Sequence, residues 1–370
     1  MIPVNQPLLN GKEKEYLVQA IEEGWISSEG PAVKTFEKKF AALTDRQFGI
    51  AVSNGSVALD LAVKAIGIEA GDEVILPSFT IISPAAAIIR CGAIPVLIES
   101  DPHTWNMDVS QIEAKITPKT KAILIVHIYG LPVDMDPVIA LAKKYNLKLI
   151  EDAAEMHGQT YKGKPCGSFG DISTFSFYPN KHITTGEGGM LVCNDQALAD
   201  RCYLLRNLAF IPEKRFIHYE LGWNYRFTHI QAVLGLAQLE RLDEFVAKKR
   251  AMGKMYTQLL SDLQDKIELP MVSTDYAENI YWVFGIILKE NVPFSAQQMM
   301  AKLTEAGIGS RPFFYPMHQQ PVFNNMGLYK NEKYPVAEKM AERGFYVPSG
   351  LALTETEMKE VSEQLHKILS

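Results

Sequence analysis

Cysteine is scarce in this chain, and its four cysteines form no recognisable pair. Cys91, Cys166, Cys193 and Cys202 show no C-x-x-C spacing, and each lies in or near a predicted strand or helix. A small buried hydrophobic residue is the usual role of such cysteines. We therefore expect free thiols in a reduced, cytoplasmic compartment, and no metal site.

Long apolar runs and an excess of positive charge are also missing. No run approaches the roughly 18 apolar residues that span a bilayer. The first residues, Met-Ile-Pro-Val-Asn-Gln-Pro, lack the basic and apolar parts of a secretory signal. The net charge is −6, with no basic stripe. These absences argue against a membrane or a nucleic acid as a partner.

Short apolar runs alternate with helical periodicity between about residue 50 and residue 195. Unbroken apolar strands of this kind are typical of a parallel sheet with helices on both faces. The fold class is therefore α/β, with a mostly parallel sheet. The predicted strands include 73–76, 94–98, 121–126 and 147–150, and the helical patterns include 58–66, 136–144 and 195–207.

The pattern changes in the last third of the chain, where a mixed order of elements indicates a smaller α+β domain. We place the large α/β domain at 1–250 and the small domain at 251–370, with an N-terminal helix at 11–23 that packs on one of them. The predicted helices are 230–254, 295–306, 336–343 and 354–368, and the predicted strands are 279–288 and 308–315.

Lys181 stands out among the loops between these elements. An apolar run from Ser173 ends in Pro-Asn, Lys181 follows at once, and Gly-Glu-Gly-Gly leads into a strand-like run at Met190. A lysine held between buried strands is partly desolvated, which lowers its pKa and makes its amine available as a Schiff-base nucleophile. A lysine on a solvated surface loop is the alternative.

A loop of small residues, Val52-Ser-Asn-Gly-Ser, opens directly into a predicted helix. The backbone N–H groups of Gly55 and Ser56 and the Ser56 hydroxyl would meet at the positive end of that helix, which suits a phosphate. Ser176, five residues before Lys181, could contact the same phosphate. A plain helix cap is the alternative.

Acidic and basic side chains end two further segments. Carboxylates follow a buried strand in Glu151-Asp-Ala-Ala-Glu, where a protonated pyridine nitrogen would be a suitable partner for Asp152. A helix cap would also explain Asp152. Asn224 and Arg226 alternate in an extended segment and share a face, so Arg226 could clamp an anion or remain in solvent.

Four features thus follow one another along a predicted α/β sheet: a phosphate-binding helix end, a carboxylate, a lysine and an Asn/Arg segment. Ligands bind at the carboxyl ends of the strands in such sheets. Pyridoxal phosphate needs this set: a helix end for its phosphate, Asp152 for its ring nitrogen, and Lys181 for attachment and proton transfer. Together the four segments predict a pyridoxal phosphate site.

The same residues resemble the DegT-type sugar-nucleotide aminotransferases, which have the aspartate aminotransferase fold (fold type I). The similarity covers nearly the whole chain and implies a seven-stranded, mostly parallel sheet flanked by helices. The motifs that carry it are Gly24-Trp-Ile-Ser-Ser-Glu-Gly-Pro, Ser53-Asn-Gly-Ser-Val-Ala-Leu, Pro77-Ser-Phe-Thr, Val126-His-Ile-Tyr-Gly, Glu151-Asp-Ala-Ala-Glu, Phe175-Ser-Phe-x-x-x-Lys-x-x-x-x-Gly-Glu-Gly-Gly and Gly222-x-Asn-x-Arg-x-Thr.

The resemblance also implies a role for each site residue. Lys181 would be the Schiff-base lysine, and the cofactor phosphate would be held by Gly55, Ser56 and Ser176. L-Glutamate would donate the amino group and leave as 2-oxoglutarate, and a nucleotide-linked keto-sugar would accept it.

Three more residues take roles around the cofactor by the same resemblance. Asp152 would pair with the pyridine nitrogen, and Glu155 would lie near the ring hydroxyl. Asn224 would reach the phosphate of the partner subunit's cofactor. That contact implies a homodimer with shared active sites.

The chain departs from the family pattern at Ile81, where many members have an aromatic residue on the cofactor ring. An aliphatic side chain can pack on the ring but gives up about 0.5–1.5 kcal/mol of stacking. A dehydratase branch of the family replaces the lysine by histidine. Here Lys181 keeps its spacing from Ser176 and Gly189, and His182 stands one place too late. We therefore expect amine transfer.

The stretch from Gly309 to His318 is similar to that of the GDP-perosamine synthases, which aminate C4 of GDP-4-keto-6-deoxymannose. Arg311 and His318 would then lie near the sugar or the diphosphate; the alternative is that both lie in a solvated loop. Arg226 is a further candidate for substrate binding. The alternatives are a UDP- or dTDP-linked keto-sugar aminated at C4 or C3, a 3-dehydratase, and a non-catalytic regulator of the same fold.

Overall fold

Helices and strands alternate through the first half of the chain in the computed structural model, which describes residues 1–214 and 216–370. The helices are α1 (Glu13–Glu22), α2 (Pro31–Leu43), α3 (Gly55–Ala65), α4 (Ser83–Arg90), α5 (Met135–Tyr145), α6 (Gln196–Arg206), α7 (His229–Leu239), α8 (Leu242–Leu259), α9 (Ala296–Glu305), α10 (Pro321–Asn325), α11 (Pro335–Arg343) and α12 (Glu355–Leu369). The strands are β1 (Phe48–Val52), β2 (Glu73–Pro77), β3 (Ile94–Ile98), β4 (Thr120–Val126), β5 (Lys148–Asp152), β6 (Thr160–Tyr161), β7 (Lys164–Pro165), β8 (Ile172–Ser176), β9 (Gly189–Cys193), β10 (Ile267–Glu268), β11 (Phe284–Leu288), β12 (Arg311–Pro312) and β13 (Gly344–Val347).

The main sheet contains seven of the described strands, in the order β1-β9-β8-β5-β4-β2-β3. Strands β3, β2, β4, β5 and β8 pair in parallel. Strand β9 is antiparallel to both of its neighbours, β1 and β8. The predicted α/β class and the mostly parallel seven-stranded sheet are therefore confirmed.

Helices cover both faces of this sheet, as the unbroken apolar strands predicted. On β4, Ala122 and Leu124 belong to the hydrophobic core on one face, and Ile123 and Ile125 belong to the core on the other. Successive side chains of a strand point to opposite faces, so a strand buried on both sides must be apolar at every position. The run from 122 to 126 meets this requirement.

A second, antiparallel sheet has the order β10-β11-β13-β12 in the described residues. It shares a separate core with α8, α9 and α12, in which Tyr256, Phe284 and Phe345 are fully buried. The predicted boundary at residue 250 falls inside α8 and stays a prediction. No helix in the described ranges is both long enough and apolar enough to span a bilayer.

The prediction of one continuous helix over 230–254 was wrong, because the chain breaks between α7 and α8. The apolar periodicity continues through the break, and no glycine or proline marks it. Arg241 leaves helical geometry there, with φ −118° and ψ 13°. Tyr16 donates to Glu240 Oε1 at 2.6 Å, and Arg241 donates to Asn10 Oδ1 at 2.7 Å. Contacts with the N-terminal segment therefore fix a break that the local pattern does not encode.

Two predicted strands are shorter than expected. The segment 279–288 becomes extended only at Phe284, because Tyr281 has a φ of 49°, which is incompatible with a strand. The segment 308–315 contains only β12, whose Pro312 has no N–H group to continue the ladder.

Candidate active site

A cleft of about 830 Å³ opens at the carboxyl ends of β4, β5 and β8. The first turn of α3 borders it on one side, and side chains that follow or belong to the small sheet border it on the other. Ligands occupy this position in doubly wound sheets. Most of the predicted site residues line the cleft, namely Gly55, Ser56, Ile81, Asp152, Glu155, Ser176, Lys181 and Arg311.

The amino end of α3 brings hydroxyl groups together at one end of the cleft. Asn54 caps the helix, because its side chain accepts a backbone N–H of the first turn at 3.0 Å. Ser56 Oγ lies 2.7 Å from Ser83 Oγ. A Cβ atom at Gly55 would lie 2.8 Å from the Cβ of Ser176, so only glycine lets the helix end approach β8 this closely. The positive helix end and its hydroxyls suit an anion such as phosphate.

The two carboxylates at the end of β5 have different environments. Glu151 is fully buried and accepts hydrogen bonds from His127, from Ser173 and from three backbone N–H groups of residues 167–170. Asp152 lines the cleft and accepts one N–H, from Ala154 at 3.1 Å. Burial raises the pKa of Asp152 to about 6, against the opposing N–H of Ala154. The hydrogen bonds of Glu151 are thus all supplied by the protein, whereas Asp152 has no positively charged hydrogen-bond partner among the described residues.

Lys181 lies in the same cleft, with a side chain that is only 10% exposed. Its Nζ is 3.7 Å from Glu155 Oε1, and the other carboxylate oxygen of Glu155 accepts the N–H of Tyr129 at 2.6 Å. Burial lowers the pKa of Lys181, although Glu155 and Asp152 act in the opposite direction. Burial raises the pKa of Glu155 to about 8, and Lys181 opposes that rise. Burial therefore favours the neutral form of each group, whereas the attraction between the two groups favours their charged forms.

Several aromatic side chains in the cleft were not found from the sequence. The ring centroid of Trp282 lies 3.8 Å from Lys181 Nζ, and Tyr178, Phe314 and Tyr346 also line the cleft. Trp282 belongs to an apolar run that is typical of a buried strand, so the sequence pattern predicts a core residue at this position. Only the packing of the small sheet against the Lys181 loop reveals the contact.

Three predicted residues lie outside the cleft lining. Asn224 is exposed, and Arg226 donates to Asn207 Oδ1 at 2.6 Å. His318 is buried away from the cleft, with Nε2 2.8 Å from Glu338 Oε1. Their contacts with the cofactor or the substrate stay predictions.

Comparisons with known proteins agree with this geometry. A family model described as the DegT/DnrJ/EryC1/StrS aminotransferase family matches residues 7–366. The chain belongs to this family. It is 43% identical over 369 residues to the GDP-perosamine synthase of Escherichia coli O157:H7, a match that covers 100% of this chain and 99% of that protein.

Two further proteins support the family and the fold. The chain is 36% identical over 373 residues to the putative pyridoxal phosphate-dependent aminotransferase EpsN of Bacillus subtilis (strain 168), covering 98% of this chain and 95% of that protein. The crystal structure of an aminotransferase from Psychrobacter cryohalolentis matches with a TM-score of 0.90 at 31% identity, covering 98% of both chains. The predicted resemblance to this family of aminotransferases is confirmed.

The residues present fit pyridoxal phosphate. The helix end with Gly55 and Ser56 suits its phosphate, and no positively charged group in the described part of the chain is hydrogen-bonded to Asp152. The Thr80 hydroxyl, which borders the cleft, is buried with no hydrogen-bond partner among the described residues. Lys181 supplies a primary amine in the same cleft. These groups could hold the phosphate, the ring nitrogen and the aldehyde carbon of the cofactor.

Proposed function

We propose that this protein transfers the amino group of L-glutamate to a nucleotide-linked 4-keto-6-deoxy sugar, with pyridoxal phosphate as cofactor. One observation carries the proposal: Lys181 lies 3.7 Å from Glu155 in a cleft that Asp152 and the amino end of α3 also line. The similarity to a GDP-perosamine synthase, 43% over the whole chain, supports GDP-4-keto-6-deoxy-D-mannose as acceptor and GDP-perosamine as product.

Five residues of the chain would bind the cofactor or take part in the chemistry. When bound, pyridoxal phosphate supplies an aldehyde that joins to amines and a ring that withdraws electrons from the reacting carbon. Gly55 and Ser56, with Ser176, would bind the phosphate. Asp152 would hold a proton at the ring nitrogen, because a buried carboxylate needs a positive partner. Lys181 would bind the aldehyde carbon and then move a proton at the reacting carbon.

Three other cleft residues would orient the ligands. Glu155 would lie near the ring hydroxyl, at a position fixed by the N–H of Tyr129. Ile81, which is 46% exposed in the cleft, would pack on a ring face. Arg311 is exposed at the cleft and would attract the diphosphate of the sugar nucleotide.

We also infer a cytoplasmic homodimer with shared active sites. Asn224 is exposed outside the cleft, where it could reach the cofactor phosphate of the partner subunit. Leu221 is 89% exposed and Tyr219 is 69% exposed in the same segment. Clustered apolar exposure of this kind favours burial by a second subunit. The free cysteines support a reducing compartment.

A substrate panel tests the proposed function. The purified protein, loaded with pyridoxal phosphate, should lose its visible absorption band when glutamate is added. Among GDP-, UDP- and dTDP-linked 4-keto-6-deoxy sugars, the GDP sugar should then give the amine product detected by mass spectrometry. A band that glutamate leaves unchanged contradicts amine transfer. An amine product from only UDP or dTDP sugars reassigns the nucleotide, and a deoxy product without nitrogen indicates dehydration.

Gly55→Ala should weaken pyridoxal phosphate binding by about tenfold or more. The added Cβ would lie 2.8 Å from Ser176 Cβ, so α3 or β8 must move, at a cost of about 1–3 kcal/mol. Equilibrium dialysis of the cofactor measures the effect. Ser176→Ala removes a hydroxyl and adds no atom, so it measures separately the loss of one proposed phosphate contact. Equal affinity of G55A and wild type for the cofactor would show that the close approach of α3 to β8 is not needed for phosphate binding.

A further inference from the structure

Trp282 contacts both the amine of Lys181 and the backbone that carries it. Its ring centroid lies 3.8 Å from Lys181 Nζ. Its indole N–H donates to the carbonyl oxygen of Asn180, at 2.8 Å, and Asn180 directly precedes Lys181. Trp282 is only 3% exposed. A single buried side chain therefore fixes the position of the lysine loop and covers its ammonium group.

A buried lysine fixes the backbone of Trp282 in turn. Lys249, on α8, is 3% exposed, and its Nζ donates to the carbonyl oxygens of Trp282, at 2.7 Å, and Ser349. Burial lowers the pKa of Lys249 to about 7. A desolvated amine is costly, and its hydrogen bonds here go to two backbone segments beside the cleft. Its structural effect is to hold those segments, and with them Trp282, against α8.

Within residues 1–214 and 216–370, no carboxylate forms a close ion pair with Lys181 Nζ. The nearest carboxylate oxygen, on Glu155, lies at 3.7 Å, which is farther than a charge-assisted hydrogen bond. Burial lowers the pKa of His157 and of His182, which favours the neutral imidazole of each. The titratable groups that face the lysine or border the space behind it include Glu155, Asp152, His157, His182 and Lys249. The same cleft is also lined by Arg311, Tyr178 and Tyr346.

We propose that Trp282 is a positioning residue for Lys181, which holds the free amine against its ring face and stabilises the ammonium form that returns a proton to the substrate. A cation over the face of a tryptophan ring is attracted by the electron density of the ring. The attraction acts only on a free, protonated lysine, so it favours the state in which Lys181 is an acid. The effect on turnover rests on the proposed aminotransferase function; the contact itself does not.

The pKa of Lys181 in the full-length, cofactor-free chain provides the direct test. It is measured from the pH dependence of acylation by acetic anhydride, read by mass spectrometry of the Lys181 peptide. W282L should lower this pKa by about one pH unit, because the ring is lost and the burial remains. W282F keeps a ring but loses the N–H bond to Asn180, so its pKa should fall by less.

F314L is the matched control for the loss of an aromatic ring. Phe314 lines the same cleft and stacks on Trp282 with centroids 6.4 Å apart, whereas the ring over the ammonium belongs to Trp282. F314L should leave the pKa of Lys181 at the wild-type value. If F314L lowers that pKa as much as W282L does, general loosening of the cleft explains the change and the proposal is overturned.

Steady-state kinetics of the loaded enzyme separate positioning from substrate contact. W282L should lower kcat about tenfold and change the KM for glutamate by less than about twofold. A raised KM with an unchanged kcat would overturn the proposal and make Trp282 a substrate contact. If W282L does not fold, W282F carries the test, and an unchanged Lys181 pKa in it overturns the proposal. A lowered pKa in a protein that proves unable to transfer amines would support the proposal and refute the proposed function.

Discussion

Lys181→Ala should lower kcat for amine transfer by at least about 10⁴-fold and leave the fold intact. The lysine is the only one that lines the cleft among the described residues, so no neighbouring amine can replace it. The variant should still bind pyridoxal phosphate through the α3 end and Asp152, because those contacts are independent of the lysine. Cofactor retained after gel filtration and 2-oxoglutarate formed from glutamate are the two measurements.

Lys144→Ala is the control for this variant. Lys144 forms an ion pair with Glu113 at 2.5 Å on the surface, and its removal should leave activity unchanged. A small primary amine such as methylamine should restore part of the activity of K181A, since it can accept and return the proton that Lys181 moves. Retention of more than about 1% of wild-type activity without added amine would contradict the role assigned to Lys181.

The sequence predicted the fold wherever the burial of an element produces a local pattern of apolar residues. Strands such as 122–126 are apolar at every position because helices cover both faces of the sheet. The break between α7 and α8 left no such trace, since it depends on contacts with residues more than 200 positions away. Length and periodicity could not show it.

The site, too, contains residues that the sequence could predict and residues that it could not. Residues on the strand ends and on the Lys181 loop were predicted, because their types and spacing follow from the chemistry of the cofactor. His182, one place after the lysine, is buried with Nε2 3.4 Å from the carbonyl oxygen of Ile280. Trp282 was not predicted as a site residue because it lies just before a strand of the second sheet, about 100 residues beyond Lys181. Its part in the site depends on tertiary packing alone.

Asp152→Asn should give a protein that is much less active and, without cofactor, more stable. The amide keeps the shape of the side chain and an oxygen for the N–H of Ala154, but it cannot hold a proton at the ring nitrogen. Loss of one partner of a buried ion pair costs about 3–5 kcal/mol, so amine transfer should fall about 10³-fold. N-methylated pyridoxal phosphate, whose ring charge is permanent, should restore part of the activity.

The gain in stability follows from the pKa of Asp152 in the cofactor-free chain. Burial raises that pKa from 3.8 to about 6, so between these values the folded chain binds more protons than the unfolded chain. Wild-type stability therefore falls as the pH rises through this window, by up to about 3 kcal/mol above pH 6. D152N does not titrate there, so in urea unfolding it should match wild type near pH 4 and exceed it at pH 7. Asp136→Asn, at a surface ion pair with Lys162, should show no such gain. If D152N is less stable than wild type at pH 7, the buried carboxylate does not destabilise the cofactor-free chain. That result would contradict the proposal that Asp152 pairs with a positive ring nitrogen.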